Sequence, residues 1–215
     1  MYAIICGLDA FGRKLLTGLL KKGHDVVAIE ENREIANEVQ ADTNGVIVNG
    51  DATSVIVLEQ AGIAKANVFI ANAPTDATNL ALCVIAKKYG VEYVIANVRD
   101  PAYSDAFKIT GVDKRLAAVD TLYEELINVI ETPSIEKSLP LDGYKLLVVD
   151  VGEDDKIAGK RVSELEEKIK GLHVLAVLTG ESLSRNKQAK ITANTTLVLL
   201  VEKDREERVR KLFKK

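Results

Sequence analysis

Tryptophan is absent from this 215-residue chain, and only four phenylalanines and six tyrosines occur in it. An aromatic core is thereby excluded, and the interior has to be built from Val, Ile, Leu and Ala. Cysteine is nearly absent too. Cys6 and Cys83 both lie inside apolar segments, which points to buried reduced thiols of a cytosolic protein and not to a disulfide framework. The two histidines, His24 and His173, are scattered along the chain, so no metal-ligand spacing is visible. Neither sign of charge dominates: 29 Lys and Arg face 32 Asp and Glu, a net charge of -3. A nucleic-acid binder would carry a marked basic excess, so no nucleic-acid partner is expected. No apolar run reaches the roughly 18 residues of a membrane span. The chain opens directly on a strand-like segment without a charged leader or a cleavage site, so no signal peptide is expected.

What is present is alternation. Short β-branched runs at Tyr2–Cys6, Val26–Ile29, Gly45–Asn49, Val68–Ala71, Tyr93–Val98 and Lys114–Ala118 are separated by amphipathic segments. These are Gly12–Lys22, Ser54–Ala61, Thr75–Tyr89 and Ala102–Thr110. Runs such as YAIIC and VFIA lack polar alternation, as strands buried on both faces of a parallel sheet do. The expected fold is α/β, a Rossmann-like doubly wound parallel sheet with right-handed crossovers. Asp120 is positioned to cap a helix over Leu122–Ile130, with Leu122, Leu126, Val129 and Ile130 on one side. Pro133 stops that helix, and "TPSIEKSLPLDG" reads as a linker. A second, smaller α+β domain follows: strand Tyr144–Val151, helix Ser163–Lys170, strands His173–Thr179 and Thr195–Glu202, and helix Asp204–Phe213. The boundaries are 1–118 for the first domain, 119–136 for the crossover helix and linker, and 137–215 for the second domain.

The stretch "IICGLDAFGRKL" at 4–15 carries the chemistry. Its Gly7 and Gly12 hold the outer positions of a glycine-x-glycine-x-x-glycine turn, which brings a helix N-terminus to a phosphate. Glu30 follows the second strand, about 20 residues on, where an acidic residue accepts from ribose hydroxyls. "NGDATS" and "ANAPTD" leave strands three and four at the same sheet edge and supply Asp51 and the segment from Asn72 to Pro74. Asp9 stands in place of the middle glycine. A carboxylate there adds bulk and repels a phosphate, so it points outward, binds ribose, or works with a divalent cation. The diphosphate site is expected to be weakened.

The combination of "GLDAFG", "VAIEEN", "NGDATS" and "ANVRDP" resembles the regulatory subunits of prokaryotic Trk/Ktr-type potassium transport, built from RCK domains. The resemblance covers the whole chain. It implies a regulatory ligand, NAD(H) or one of AMP, ADP and ATP. It also implies a homo-oligomer, with dimers pairing through the crossover helix and assembling into a ring under a membrane potassium channel or transporter. The protein would then be cytoplasmic and peripheral to the inner face of the membrane. By position, Gly7, Leu8, Asp9, Ala10 and Phe11 face the phosphates, Glu30 and Asn32 the ribose, and Asp51 with Ala52 the adenine. Ala73 and Pro74 line the cleft, and Arg99 approaches a phosphate. Ala10 stands where some members, those answering to ATP, carry arginine, and Asn97 where many members have another; fewer cations around the phosphates favour AMP or NAD over ATP. The last strand lacks the Gly-Asp that often precedes it in the family, so no ligand is assigned to the second domain.

An NAD-dependent oxidoreductase is the rival reading, as is a nucleotide-binding module with another partner. An oxidoreductase needs a proton donor beside the nicotinamide. His173 begins an apolar strand and His24 sits in a turn, and no Tyr-x-x-x-Lys pair occurs. The three acids Glu153 to Asp155 read as a loop turn, and the closing run "EKDREERVRKLFKK" as a solvated helix face. The expectation is a non-enzymatic switch with no catalytic residues and no metal site.

Overall fold

The computed structural model describes residues 1–213. The chain divides into two compact units, Met1–Asp120 and the remainder from Thr121. In the first, β1 (Tyr2–Cys6), β2 (Asp25–Glu30), β3 (Val46–Asn49), β4 (Val68–Ala71), β5 (Tyr93–Val98) and β6 (Lys114–Ala117) form one sheet in the order β3-β2-β1-β4-β5-β6. All five pairings are parallel. The chain runs outward in one direction from β1 and in the other from β4, so the strand order reverses between them.

Both faces of this sheet are covered, which is why its strands carry no polar alternation. Ile4 and Cys6 of β1 face one cluster, with Leu58 of α3 (Val55–Gln60), Leu82 and Ala86 of α4 (Asp76–Lys88) and Phe107 of α5 (Ser104–Ile109). Ala3 and Ile5 face the other, with Leu16 of α1 (Ala10–Lys21) and Val39 of α2 (Arg33–Asp42). The two cysteines are free and buried. Desolvation pushes the Cys83 thiol up to about 12, so both behave as small apolar groups.

The second unit is a five-stranded antiparallel sheet in the order β10-β9-β11-β8-β7. Its strands are β7 (Ile135–Leu141), β8 (Tyr144–Asp150), β9 (Leu172–Thr179), β10 (Ser182–Ser184) and β11 (Thr196–Glu202). Leu147, Val149, Leu197, Leu199 and Val201 bury one face against Val162 and Leu165 of α7 (Val162–Lys168) and Val209 of α8 (Glu206–Arg210).

Several expectations are corrected. The segment taken for a linker is β7. Pro140 is tolerated because β7 is the edge strand, where a missing N–H breaks no ladder. The crossover helix α6 runs over Ala118–Glu131, so Asp120 lies inside its first turn and does not cap it. Helix α2 has no counterpart in the sequence reading. The terminal helix is a short 3-10 turn at Lys203–Arg205 followed by α8. Of the closing charged run, Lys214 and Lys215 lie outside the described residues. Asp155 turns inward, where its carboxylate accepts from the Gly152 N–H at 2.7 Å. Among the described residues no three potential ligands cluster for a metal.

Candidate functional site

The strand-order reversal puts the carboxyl ends of β1, β4 and β5 side by side, and each ends on a residue of the site. Gly7 leaves β1 with φ 101°, a left-handed conformation that glycine adopts without strain. It is also compressed. A Cβ on Gly7 would strike the Asn72 backbone carbonyl, and one on Gly12 would strike the Gly7 carbonyl. The two fingerprint glycines therefore serve close packing of the turn between α1 and β4. Leu8 is buried, and its N–H donates to Glu30 Oε2 at 2.7 Å, while Glu30 Oε1 accepts from Asn32 N at 2.9 Å. The acid that ends β2 is thus tied directly to the β1–α1 turn. Each carboxylate oxygen keeps a further lone pair for a hydroxyl donor.

Asp9 is the N-cap of α1. Its Oδ1 accepts from Gly12 N at 2.9 Å and from Asn72 Nδ2 at 2.8 Å, and its Oδ2 is paired with Arg99 Nη2 at 2.8 Å. Desolvation pushes this carboxyl upward, but the bonds from Gly12, Asn72 and Arg99 outweigh it and hold the group below the ordinary carboxylate range. Asp9 is therefore bonded to three partners within its own unit while its side chain stays 42% exposed. Arg99, expected on a phosphate, is bonded to Asp9 and through Nε to the Ala73 carbonyl at 3.2 Å.

The remaining expected residues divide by role. Asn32 caps α2, its Oδ1 accepting from Glu34 N and Ile35 N, which leaves Nδ2 as its donor. Asp51 closes a turn by accepting from the N–H and the hydroxyl of Thr53, both at 2.8 Å. These two bonds lower its carboxyl below the usual range. Ala52 is half-buried beside it, Ala73 is buried and Pro74 exposed. Ala10 and Phe11 form the exposed first turn of α1.

Sequence reasoning missed the polar network beneath the turn. Asn72, Asn79 and Asn97 are all buried. Asn97 Nδ2 donates to Asn72 Oδ1 at 2.7 Å, and Asn79 brackets Ala73, accepting from its N–H at 2.7 Å. Asp76 accepts from the backbone N–H groups of Arg99 and Asp100. The available signal was an asparagine at the carboxyl end of each of two otherwise apolar runs, Asn72 just after VFIA and Asn97 next to last in YVIANV. A polar group at such a position needs partners or exacts a desolvation cost.

The TrkA-N domain family matches residues 3–118 and the TrkA-C domain family residues 146–214. The chain belongs to the TrkA family. A Trk system potassium uptake protein TrkA homolog of Methanothermobacter thermautotrophicus is 27% identical over 205 residues, covering 95% of each chain. One of Pyrococcus abyssi is 33% identical over 172 residues, covering 77% of this TrkA-family chain and 76% of that relative. Among solved structures, the GsuK RCK domain superposes with a TM-score of 0.69 at 21% identity, over all of this chain and 48% of that one. The GsuK channel bound to NAD gives 0.70 at 21% identity, over 39% of that chain. These structures share the fold of both TrkA-family units.

Proposed function

We propose that this chain is a nucleotide-sensing regulatory subunit of a potassium transport system, binding its ligand at the β1–α1 turn and performing no chemistry on it. The observation that carries this reading is Glu30, which ends β2 and is held by the Leu8 N–H of the turn after β1, next to the point where the strand order reverses. That is the position at which such sheets take an adenosine ribose. The Trk names of the relatives support the transport role, and solved structures with the same fold bear NAD, ADP and AMP. In this reading Glu30 and Asn32 bind the ribose, Asp51 and Ala52 flank the adenine, and Ala73 and Pro74 line the cleft. Gly7, Leu8, Ala10 and Phe11 form the turn over it. The Asp9 carboxylate, bonded to Gly12 N of α1 and to Arg99, disfavours a phosphate at the turn by its charge. Titration calorimetry with adenosine, AMP, ADP, ATP and NAD(H) tests the reading. Heat of binding from an adenine ligand is the expected result, and none from any of them would overturn it.

The partner is a potassium-conducting membrane subunit, and the working form is a homo-oligomer of paired chains assembled into a ring. No helix among the described residues is long and apolar enough to cross a membrane. The pairing element is α6, whose Leu122, Leu126, Val129 and Ile130 are each more than half exposed. An apolar stripe of this size on one chain is a contact surface. A ligand shifts such an assembly only by binding one arrangement more tightly than another. Leu126→Asp places a charge in the stripe and is expected to reduce the light-scattering mass to that of a single chain. An unchanged oligomeric mass would remove α6 from the interface.

A further inference from the structure

We propose that Asp9 is a resident anion occupying the place a ligand phosphate would take, so that the site selects an adenine nucleoside and gains nothing from added phosphates. This rests on the nucleotide reading above and goes beyond it by naming the ligand class and the residue that sets it. The carboxylate joins three elements. It accepts from Gly12 N at the start of α1, from Asn72 Nδ2 at the end of β4, and from the Arg99 guanidinium beyond β5. These are the donor types that bind phosphate elsewhere: a helix-terminal amide, a side-chain amide and a guanidinium. One donor of each type is bonded to this internal carboxylate.

The clasp is held from behind. Asn72 is fixed by Asn97 at 2.7 Å. Arg99 is fixed through its own N–H to Asp76 at 2.9 Å and through Nε to the Ala73 carbonyl at 3.2 Å. Its front faces solvent, with the Asp9 and Arg99 side chains 42% and 38% exposed. A phosphate arriving there meets a fixed negative charge and a neutralised arginine. Glu30 and Asn32, by contrast, keep a spare lone pair and a spare donor for the nucleoside.

The test is titration of adenosine, AMP and ADP into the full chain and into Asp9→Gly and Asp9→Asn, with chelator present. In the native chain the three ligands should bind within about threefold of one another, whereas Asp9→Gly should bind ADP at least about tenfold tighter than adenosine. Asp9→Asn keeps the cap oxygen and removes the charge, so it should give a smaller gain in the same direction even where Asp9→Gly folds poorly. Adenosine affinity should stay constant across all three chains. A native chain that binds ADP about tenfold tighter than adenosine overturns the proposal. So does a native preference for ADP that appears only on adding magnesium, which would make Asp9 a cation ligand. Failure of adenosine to bind any of the chains overturns the nucleotide reading itself.

Discussion

Arg210→Ala is expected to destabilise the C-terminal unit by about 3 kcal/mol or more, the scale set by breaking a buried ion pair from one side. Arg210 is 7% exposed. Its Nε and Nη2 donate to Glu206 at 2.9 and 2.6 Å, Nη2 also reaches Asn128 of α6, and Nη1 reaches the Thr132 hydroxyl at 3.5 Å. One guanidinium thus ties the terminal helix α8 to the end of α6. Removing it leaves buried Asn128 and Thr132 short of a donor. Glu206 keeps Lys145 at 2.9 Å, which places the loss toward the lower end of the range. Burial raises the Glu206 carboxyl, but the bonds from Lys145 and Arg210 prevail and hold it below its ordinary value. Its contribution is therefore complete above the unfolded carboxylate pKa, about 4.3, and fades as the pH falls through the folded value. In Arg210→Ala the folded value lies nearer the unfolded one, so that acid-side loss should be smaller and should end at a higher pH. Hydrogen exchange of β8 and β11 amides in rising urea measures the change, and a loss under about 1 kcal/mol would show that the pair contributes no more than an exposed one.

Gly12→Ala has the second large effect, again about 3 kcal/mol, at the upper end of what overpacking costs. In an ordinary helix this change stabilises, because alanine is the better helix former. Here the new methyl would meet the Gly7 carbonyl and lie 3.2 Å from Asn72 Nδ2. The carbonyl is backbone and cannot swing away as a side chain can. Relief requires the β1–α1 turn to open, which breaks the Asp9 cap and the Leu8–Glu30 bond together. Exchange protection should fall at Gly7 and in the first turn of α1 while the C-terminal sheet stays unchanged. A variant as stable as the native chain would mean that the turn has slack which this packing denies.

Periodicity located the parallel strands within a residue or so because each is short, most are apolar, and β1, β3 and β4 are flanked by glycine or asparagine. The crossover helix was visible for the complementary reason, an apolar stripe between polar positions. Three elements escaped. Helix α2 is "REIANEVQAD", so polar that only Ala36 and Val39 are buried, and its cap Asn32 was assigned to the ligand instead. Strand β7 was hidden by Pro133 and Pro140, which punctuate a loop as readily as an edge strand. Strand β10 has three residues, Ser182–Ser184, too few to show a period.

The candidate site shows the same division. Gly7 and Gly12 were legible because their roles are backbone roles tied to spacing along the chain, and Glu30 because it ends the second strand of the pattern. Asp9 and Arg99 were each noted, but their partnership was not, since 90 residues separate them. Sequence by itself determined the alternation of strands and helices, the reversal-point turn and the family. Which carboxylate meets which cation was decided only by the tertiary structure, because ion pairs and buried amide bonds depend on distances of a few ångströms between strand ends. Local propensity fixes the order of those strands along the chain, and their adjacency comes from packing.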